Sequence, residues 1–271
     1  MEYIYIYTIL LGVIVGSFIT ALVSRYGVKS MIFGRSVCGS CGTKLGVLDL
    51  IPVLSYILLR GRCRHCKSRI SAMYVLVECI TAIVFLLITQ HVLFMDIARN
   101  ITAHLFILYA LAFTCLIALS VYDFMHFIIP DSLVSGFIIF GYIARLYELN
   151  VTGYGITLID VYSGFLLAVP FLLLWFFSKG RWLGFGDVKL SLGIGGLLGL
   201  VSGISAMVLG VWIGAVISLL IMLVSRFGYS FGMRRKNLTI KSEVPFGPFL
   251  AVGVVYAFAF YPDIMGLTIF F

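Results

Sequence analysis

Two aspartates in this chain lie where a long apolar segment ends or begins. Asp123 closes the run Ala118-Leu-Ser-Val-Tyr-Asp123, and Asp187 opens another segment in Gly184-Phe-Gly-Asp187. An ionisable side chain at the edge of a membrane segment is energetically costly, so a functional role is the first hypothesis. Two adjacent carboxylates share one proton, which lets one activate water while the other protonates a carbonyl oxygen. Their positions therefore predict a functional pair of carboxylates, Asp123 and Asp187, at one face of the membrane.

Two further acids, Asp131 and Glu78, lie at similar boundaries. Asp131 directly precedes an apolar segment, where its side chain can cap free N–H groups, so we rank it below Asp123. Glu78 either joins the site or forms a hydrogen bond with the neighbouring loop. A structural alternative exists for the pair itself, because either aspartate could form an ion pair with a lysine such as Lys189.

The cysteines form two pairs with the spacing of metal ligands. Cys38-Gly-Ser-Cys41 is followed, after 21 residues, by Cys63-Arg-His-Cys66. Two such pairs typically give four thiolates to one tetrahedral Zn²⁺, and a site with four thiolates has no open position for substrate. His65 could replace one cysteine, but we expect it at the surface. The spacing predicts a structural zinc site at Cys38, Cys41, Cys63 and Cys66.

Membrane helices must position these groups, because 62% of the 271 residues are hydrophobic and only 11% are charged. A run of about 20 apolar residues in a helix crosses the hydrocarbon core of a bilayer. The predicted fold class is an all-α polytopic membrane protein with about eight transmembrane helices. Only Ser202 and Gly203 separate the sixth and seventh spans. The spans are 3–24, 72–94, 101–122, 132–149, 158–178, 188–204, 206–225 and 246–262.

The net charge of +8 is distributed unevenly over this topology. With eight spans, the segments 25–70, 179–189 and 226–244 fall on one side and carry 17 of the 19 basic residues. The positive-inside rule places that side in the cytoplasm, together with both aspartates. The basic residues thus indicate topology and contact with membrane lipid, and no nucleic-acid partner is expected. The predicted divisions are a first helix 1–24, a cytoplasmic zinc loop 25–71 and a seven-helix peptidase core 72–271.

Several motifs occur in an order that resembles one family, the type IV prepilin leader peptidases, which are bacterial GxGD-type aspartyl proteases. The resemblance covers nearly the whole chain. Besides the cysteine pairs, its motifs are Gly16-Ser-Phe18, Leu50-Ile-Pro-Val-Leu-Ser-Tyr56, Arg60-Gly-Arg-Cys63, Tyr74-Val-Leu-Val-Glu78, Ile129-Pro-Asp131, Gly184-Phe-Gly-Asp187 and Pro245-Phe-Gly-Pro248.

This resemblance implies an activity in the bacterial inner membrane. Members of the family remove the basic leader of type IV prepilins or type II secretion pseudopilins after a glycine, at the cytoplasmic face. Many then methylate the new N-terminus with S-adenosylmethionine. The family's catalytic aspartates correspond to Asp123 and Asp187, whereas Asp131 belongs to the motif without being catalytic. No residue of this sequence is assigned to the methyl donor, since no G-x-G-x-x-G signal is present.

Helix ends suggest a division of labour within the pair. Asp187 lies at a helix N-terminus, where the helix dipole favours negative charge, and Asp123 lies at a helix C-terminus, where the dipole disfavours it. We therefore expect Asp123 to hold the shared proton and Asp187 to act as the base.

Two other classes of protein fit parts of the pattern. A proton-coupled transporter is the main alternative, but its acids should lie near the membrane midplane rather than at one edge. A non-enzymatic assembly scaffold could use the zinc loop for docking. The order of the motifs favours the peptidase over both.

Overall fold

The computed structural model describes residues 2–26, 36–95, 99–226 and 245–261. Within these ranges the regular structure is helical, with two isolated β-bridges, which confirms the all-α class. The basic residues at 27–35 and 227–244 that entered the charge count lie outside the described residues. The helices are α1 Glu2–Arg25, α2 Leu54–Leu58, α3 Met73–Phe94, α4 Arg99–His126, α5 Asp131–Thr152, α6 Leu158–Ser178, α7 Phe185–Arg226 and α8 Gly247–Phe260, with a 3₁₀ helix at Val47–Leu50.

Six of these helices are long and apolar enough to cross a membrane, namely α1, α3, α4, α5, α6 and α7. The remaining apolar helix of the described residues, α8, is shorter, with 14 residues. Many large side chains on the exposed faces of these helices are apolar, as expected for surfaces that face lipid. The prediction of a polytopic membrane protein is confirmed.

The helix α7 is broken at Gly199, which has φ 76° and ψ −175°. A Cβ atom at Gly203 would lie only 3.6 Å from the Cα of Gly195. In a continuous helix, two residues eight positions apart would be separated by about 12 Å along the axis. The chain therefore reverses, and α7 consists of two antiparallel arms in place of the predicted spans 188–204 and 206–225. The predicted separation of the two spans at Ser202 and Gly203 was wrong, because the positive φ that permits the turn falls on Gly199.

Residues Met1–Val121 form the first of two compact units, called unit 1 here. In this unit α1 packs along α3, and two glycines of α1 allow the close approach. A Cβ at Gly12 would lie 2.6 Å from the Cα of Ala82, and one at Gly16 would lie 2.6 Å from the Cα of Glu78. The glycine of the Gly16-Ser-Phe18 motif is thus required by helix packing.

Residues Tyr122–Phe271 form the second unit, unit 2, in which α5, α6 and α8 pack against α7. Glycines again permit the contacts: a Cβ at Gly195 would lie 2.6 Å from the Cα of Gly164 on α6. A Cβ at Gly210 would lie 2.9 Å from the Cα of Leu250 on α8. This packing fixes the start of α7, where Asp187 lies, and the start of α8.

Candidate active site and metal centre

Asp123 lies in the last turn of α4 and is only 5% exposed. Its Oδ2 atom accepts a hydrogen bond of 2.9 Å from the backbone N–H of Gly247. Gly247 is the first residue of α8, so its N–H has no partner within that helix. The N-terminus of α8 therefore supplies both a donor and a favourable dipole to the Asp123 carboxylate.

Asp187 is the third residue of α7 and is 7% exposed. Its backbone N–H donates to the carbonyl oxygen of Gly184 over 3.2 Å, and its carboxylate faces the backbone N–H of Gly184. The carboxylate of Asp123 acts on Asp187 electrostatically. The structure therefore brings together the two aspartates that were predicted to form a pair.

The predicted division of roles, with the shared proton on Asp123 and Asp187 as the base, stays a prediction. It considered α4 and α7 alone, and α4 does place Asp123 at a helix C-terminus. The hydrogen bond from Gly247 adds the N-terminus of α8, so each aspartate lies at the N-terminal end of a helix. Helix dipoles consequently do not distinguish the proton-holding residue from the base.

Asp131 does not cap α5 as predicted. The N-cap of α5 is Pro130, with no side-chain capping bond, and Asp131 is the first residue of the helix. Its side chain is 79% exposed, and its Oδ1 accepts from Nζ of Lys189 over 2.6 Å. Lys189 thus pairs with Asp131, which removes the main reason to treat Asp123 or Asp187 as one half of a structural ion pair.

The glycines of the two motifs beside the aspartates differ in how much space they have. A Cβ at Gly186 would lie 2.8 Å from the Cβ of Ile129, and a Cβ at Gly247 would lie 2.8 Å from Oδ2 of Asp123. A Cβ at Gly184 would make ordinary contact, 3.5 Å from Oδ2 of Asp187. The role of Gly247 escaped the sequence analysis, although the motif Pro245-Phe-Gly-Pro248 marked its position.

We expect Gly247→Ala to lower the rate of leader cleavage by about 10- to 100-fold, because its methyl group would push the Asp123 carboxylate out of position. Gly184→Ala is the matched control and should stay within about threefold of the wild type, since its Cβ has room. Initial rates on a purified prepilin, followed by gel mobility, give the comparison. Equal rates for both variants would show that the contact with Gly247 does not position Asp123.

Glu78 is 6% exposed and belongs to unit 1. Its Oε2 accepts a hydrogen bond of 2.8 Å from the backbone N–H of Val53. Of the two alternatives left open by the sequence, the bond to the neighbouring loop is therefore present.

The four predicted cysteine ligands converge. Their Sγ atoms all lie within 4.8 Å of one another, and those of Cys38 and Cys66 are 3.8 Å apart. A tetrahedral Zn²⁺ with Zn–S bonds of about 2.3 Å requires S···S distances of about 3.8 Å. His65 is exposed and outside the cluster, so the donor set fits zinc with four thiolates.

The two cysteine pairs have the same backbone geometry. The N–H of Cys38 donates to the carbonyl of Thr43, and that of Cys63 donates to the carbonyl of Ser68. The hydroxyls of these two partners lie 3.2 Å from Sγ of Cys41 and 3.1 Å from Sγ of Cys66. Backbone N–H groups of Cys41 and Ser40 lower the pKa of the Cys38 thiol to about 6. These hydrogen bonds favour the thiolate form of Cys38, which is the form that binds a metal ion.

The helices and the site define a class of protein. A polytopic membrane protein in which two buried carboxylates converge at helix termini has the architecture of a membrane-embedded aspartyl peptidase. The cysteine cluster adds a candidate metal centre in the loop between α1 and α3.

Comparison with known proteins gives the family. Residues 10–92 match the model of the Bacterial Peptidase A24 N-terminal domain, and residues 110–227 match the model of the Type IV leader peptidase family. The chain belongs to the type IV leader peptidase family and is a multi-pass protein of the bacterial inner membrane. This membership supports the predicted peptidase, and neither the transporter nor the scaffold alternative gains support from it.

Relatives cover most of the chain. The Prepilin leader peptidase/N-methyltransferase of Burkholderia pseudomallei (strain K96243) is 30% identical over 276 residues, 91% of this chain and 82% of that protein. The Type 4 prepilin-like proteins leader peptide-processing enzyme of Escherichia coli O78:H11 is 30% identical over 89% of this chain and 88% of its own length. The Prepilin leader peptidase/N-methyltransferase of Pseudomonas aeruginosa is 28% identical over 90% and 86%. No solved structure matches the chain.

Proposed function

We propose that Asp123 and Asp187 are the catalytic pair with which this chain cleaves the basic leader of a type IV prepilin or a type II secretion pseudopilin. One observation carries the proposal: the end of α4 and the starts of α7 and α8 converge on two buried carboxylates. The relatives carry names for the processing of prepilin leader peptides, which gives the substrate class.

In the proposed mechanism the pair holds one proton between its two carboxylates. The ionised carboxylate takes a proton from water as the water oxygen attacks the carbonyl carbon, and the other carboxylate protonates the carbonyl oxygen. When the C–N bond breaks, one carboxylate recovers a proton from a hydroxyl group of the tetrahedral centre. The other carboxylate gives its proton to the leaving amine, so the pair regains its starting state.

The contact with Gly247 has a defined part in this mechanism. Its N–H holds the Asp123 carboxylate in place without delivering a proton, because a backbone amide does not ionise in this range. Lys189 forms an ion pair with Asp131, so its charge has a partner outside the catalytic pair. Both contacts leave the shared proton free to move between Asp123 and Asp187.

The proposal also includes the side of the membrane on which the active site lies and the metal ion and methyl donor that the chain would bind. The positive-inside distribution supports an active site at the cytoplasmic face. Zn²⁺ would be held by the four cysteines as a structural ion, and S-adenosylmethionine would supply the methyl group for the new N-terminus. The division into 1–24, 25–71 and 72–271 stays a prediction.

Co-expression of a type IV prepilin with this chain in a strain without a prepilin peptidase tests the proposed function. Mass spectrometry of the pilin should find a new N-terminus directly after a glycine, and a strain without the chain should accumulate intact prepilin. Repeating the experiment with a type II secretion pseudopilin tests the second substrate. Intact substrate of both kinds in the presence of the wild-type chain would refute the proposal.

A further inference from the structure

Unit 1 contains a cavity of about 840 Å³, and all of its lining residues belong to this unit. It lies where residues 36–71 meet the adjoining ends of α1 and α3, and it is partly open to solvent. Cavities of about 300–1,000 Å³ typically hold small-molecule ligands. The size therefore fits a ligand such as a nucleoside derivative together with the end of a peptide.

The lining of the cavity combines three kinds of group. Glu78 supplies a carboxylate, Tyr56 and Tyr74 supply aromatic rings, and Arg25 and Arg69 supply guanidinium groups. A carboxylate binds an amine, aromatic rings stack on planar bases and attract cations, and guanidinium groups bind carboxylates. An aminoacyl nucleoside with a positive sulfonium group presents all three complementary features.

Glu78 has the geometry of a ligand-binding residue. Its carboxylate accepts hydrogen bonds from the Val53 N–H and from the Ser17 hydroxyl. An ionised carboxylate can accept about four hydrogen bonds, so acceptor positions remain for a ligand. The side chain is therefore fixed by two donors while it borders the cavity.

The backbone at Val53 is strained where Glu78 contacts it. Val53 has φ 58° and ψ −52°, and the N–H of Leu54 donates to the carbonyl of Pro52, which together form a γ-turn. This turn is rare, and a positive φ is unfavourable for a β-branched residue. Strained backbone held in place by a neighbouring group is found preferentially at binding and catalytic sites.

We propose that this cavity is the site of N-methylation, in which Glu78 binds the new N-terminal amine of the cleaved pilin beside a sulfonium methyl donor. The inference rests on the proposed function, because leader cleavage produces this amine. It assigns residues to an activity that the names of the relatives state and for which the sequence assigned no residue.

The chemistry requires a neutral amine. The methyl donor supplies a methyl group that forms a bond with the nitrogen lone pair, while the electron pair of the broken S–C bond stays on sulfur. Glu78 takes one proton from the incoming ammonium group, which frees that lone pair, and later releases the proton to water. The product is a secondary ammonium group, so charge and protons balance.

A peptide that already has the mature pilin N-terminus tests the role of Glu78 separately from cleavage. With purified full-length protein and S-adenosylmethionine, Glu78→Gln should lower the rate of peptide methylation by about 100-fold. Its carboxamide oxygen can still accept from Val53, so the strained turn is retained. Prepilin cleavage and the affinity for S-adenosylmethionine should both stay within about threefold of the wild type.

A second pair of variants tests the cavity itself. Ser24 borders the cavity and is exposed, so Ser24→Trp should fill part of the space without disturbing the packing of α1. Val47 is 84% exposed and outside the lining, so Val47→Trp is the matched control. By isothermal titration, Ser24→Trp should weaken S-adenosylmethionine binding at least about tenfold, while Val47→Trp should bind as the wild type does.

The outcomes separate this inference from the proposed function. Methylation by Glu78→Gln at the wild-type rate, or equal donor affinity in Ser24→Trp and Val47→Trp, would overturn the inference. Displacement of S-adenosylmethionine by vesicles of anionic lipid, with no methylated peptide, would overturn it in favour of a lipid headgroup site. A wild-type chain that methylates the mature peptide but leaves prepilin intact would refute the proposed cleavage and keep the methylation site.

Discussion

Replacing either Asp123 or Asp187 by asparagine is expected to lower the rate of leader cleavage by about 10³-fold or more. The attack of water needs one carboxylate to take a proton while the other gives one, and a single remaining carboxylate cannot do both in the same step. Asparagine has nearly the same size and can still accept a hydrogen bond, so the contact between Gly247 and residue 123 should persist. Initial rates of cleavage with purified full-length variants and a prepilin substrate give the measurement.

The double variant should be no slower than the slower single variant, since two residues that act as one unit lose their function together. Asp131→Asn is the matched control: it removes an acid of unit 2 that is exposed and paired with Lys189. Its rate should stay within about fivefold of the wild type. Losses that multiply in the double variant, or a larger loss for Asp131→Asn than for Asp187→Asn, would contradict a catalytic pair.

The second large effect is expected from the metal centre. Within residues 36–71 only Gly61 and Cys63 are buried, so this segment has no apolar core of its own. Structural zinc typically contributes about 10 kcal/mol or more to the folding of such segments. Cys63→Ser should therefore lose the metal and leave residues 36–71 open to proteolysis, while the helices of unit 2 stay intact.

Zinc content by atomic emission and limited proteolysis with mass spectrometry measure these effects. The wild type should contain about one zinc ion per chain, and Cys63→Ser should contain less than about a tenth of that. Cys79→Ser is the matched control, because Cys79 is an exposed thiol outside the cluster. A full zinc content in Cys63→Ser, or the same proteolysis pattern in all three proteins, would refute the structural role.

Local patterns in the sequence were sufficient to predict the class of fold and to single out the residues to which we assign the chemistry. The length of the apolar runs predicted membrane helices because crossing a bilayer sets a minimum length. The spacing within Cys38-Gly-Ser-Cys41 and Cys63-Arg-His-Cys66 predicted a metal site because short spacing alone brings two thiols to one ion. The aspartates were found because an acid at a membrane edge has few explanations apart from function.

Contacts between distant residues were decided by tertiary structure. The N–H that binds Asp123 comes from Gly247, and the partner of Asp131 is Lys189, 58 residues away. Helix capping at Asp131 was a reasonable local prediction, but a lysine on a neighbouring helix competed for the same carboxylate. A sequence pattern records which groups can pair, whereas helix packing decides which groups meet.

The same distinction applies to the aspartyl pair. Its two residues, and their place at the ends of apolar segments, could be predicted from local sequence patterns. Helix packing placed the start of α8 against Asp123, and within unit 1 it placed Glu78 at the border of a cavity. The physical reason is that the charge on a buried carboxylate depends on the donors and dipoles around it, and these come from elements far apart in the chain.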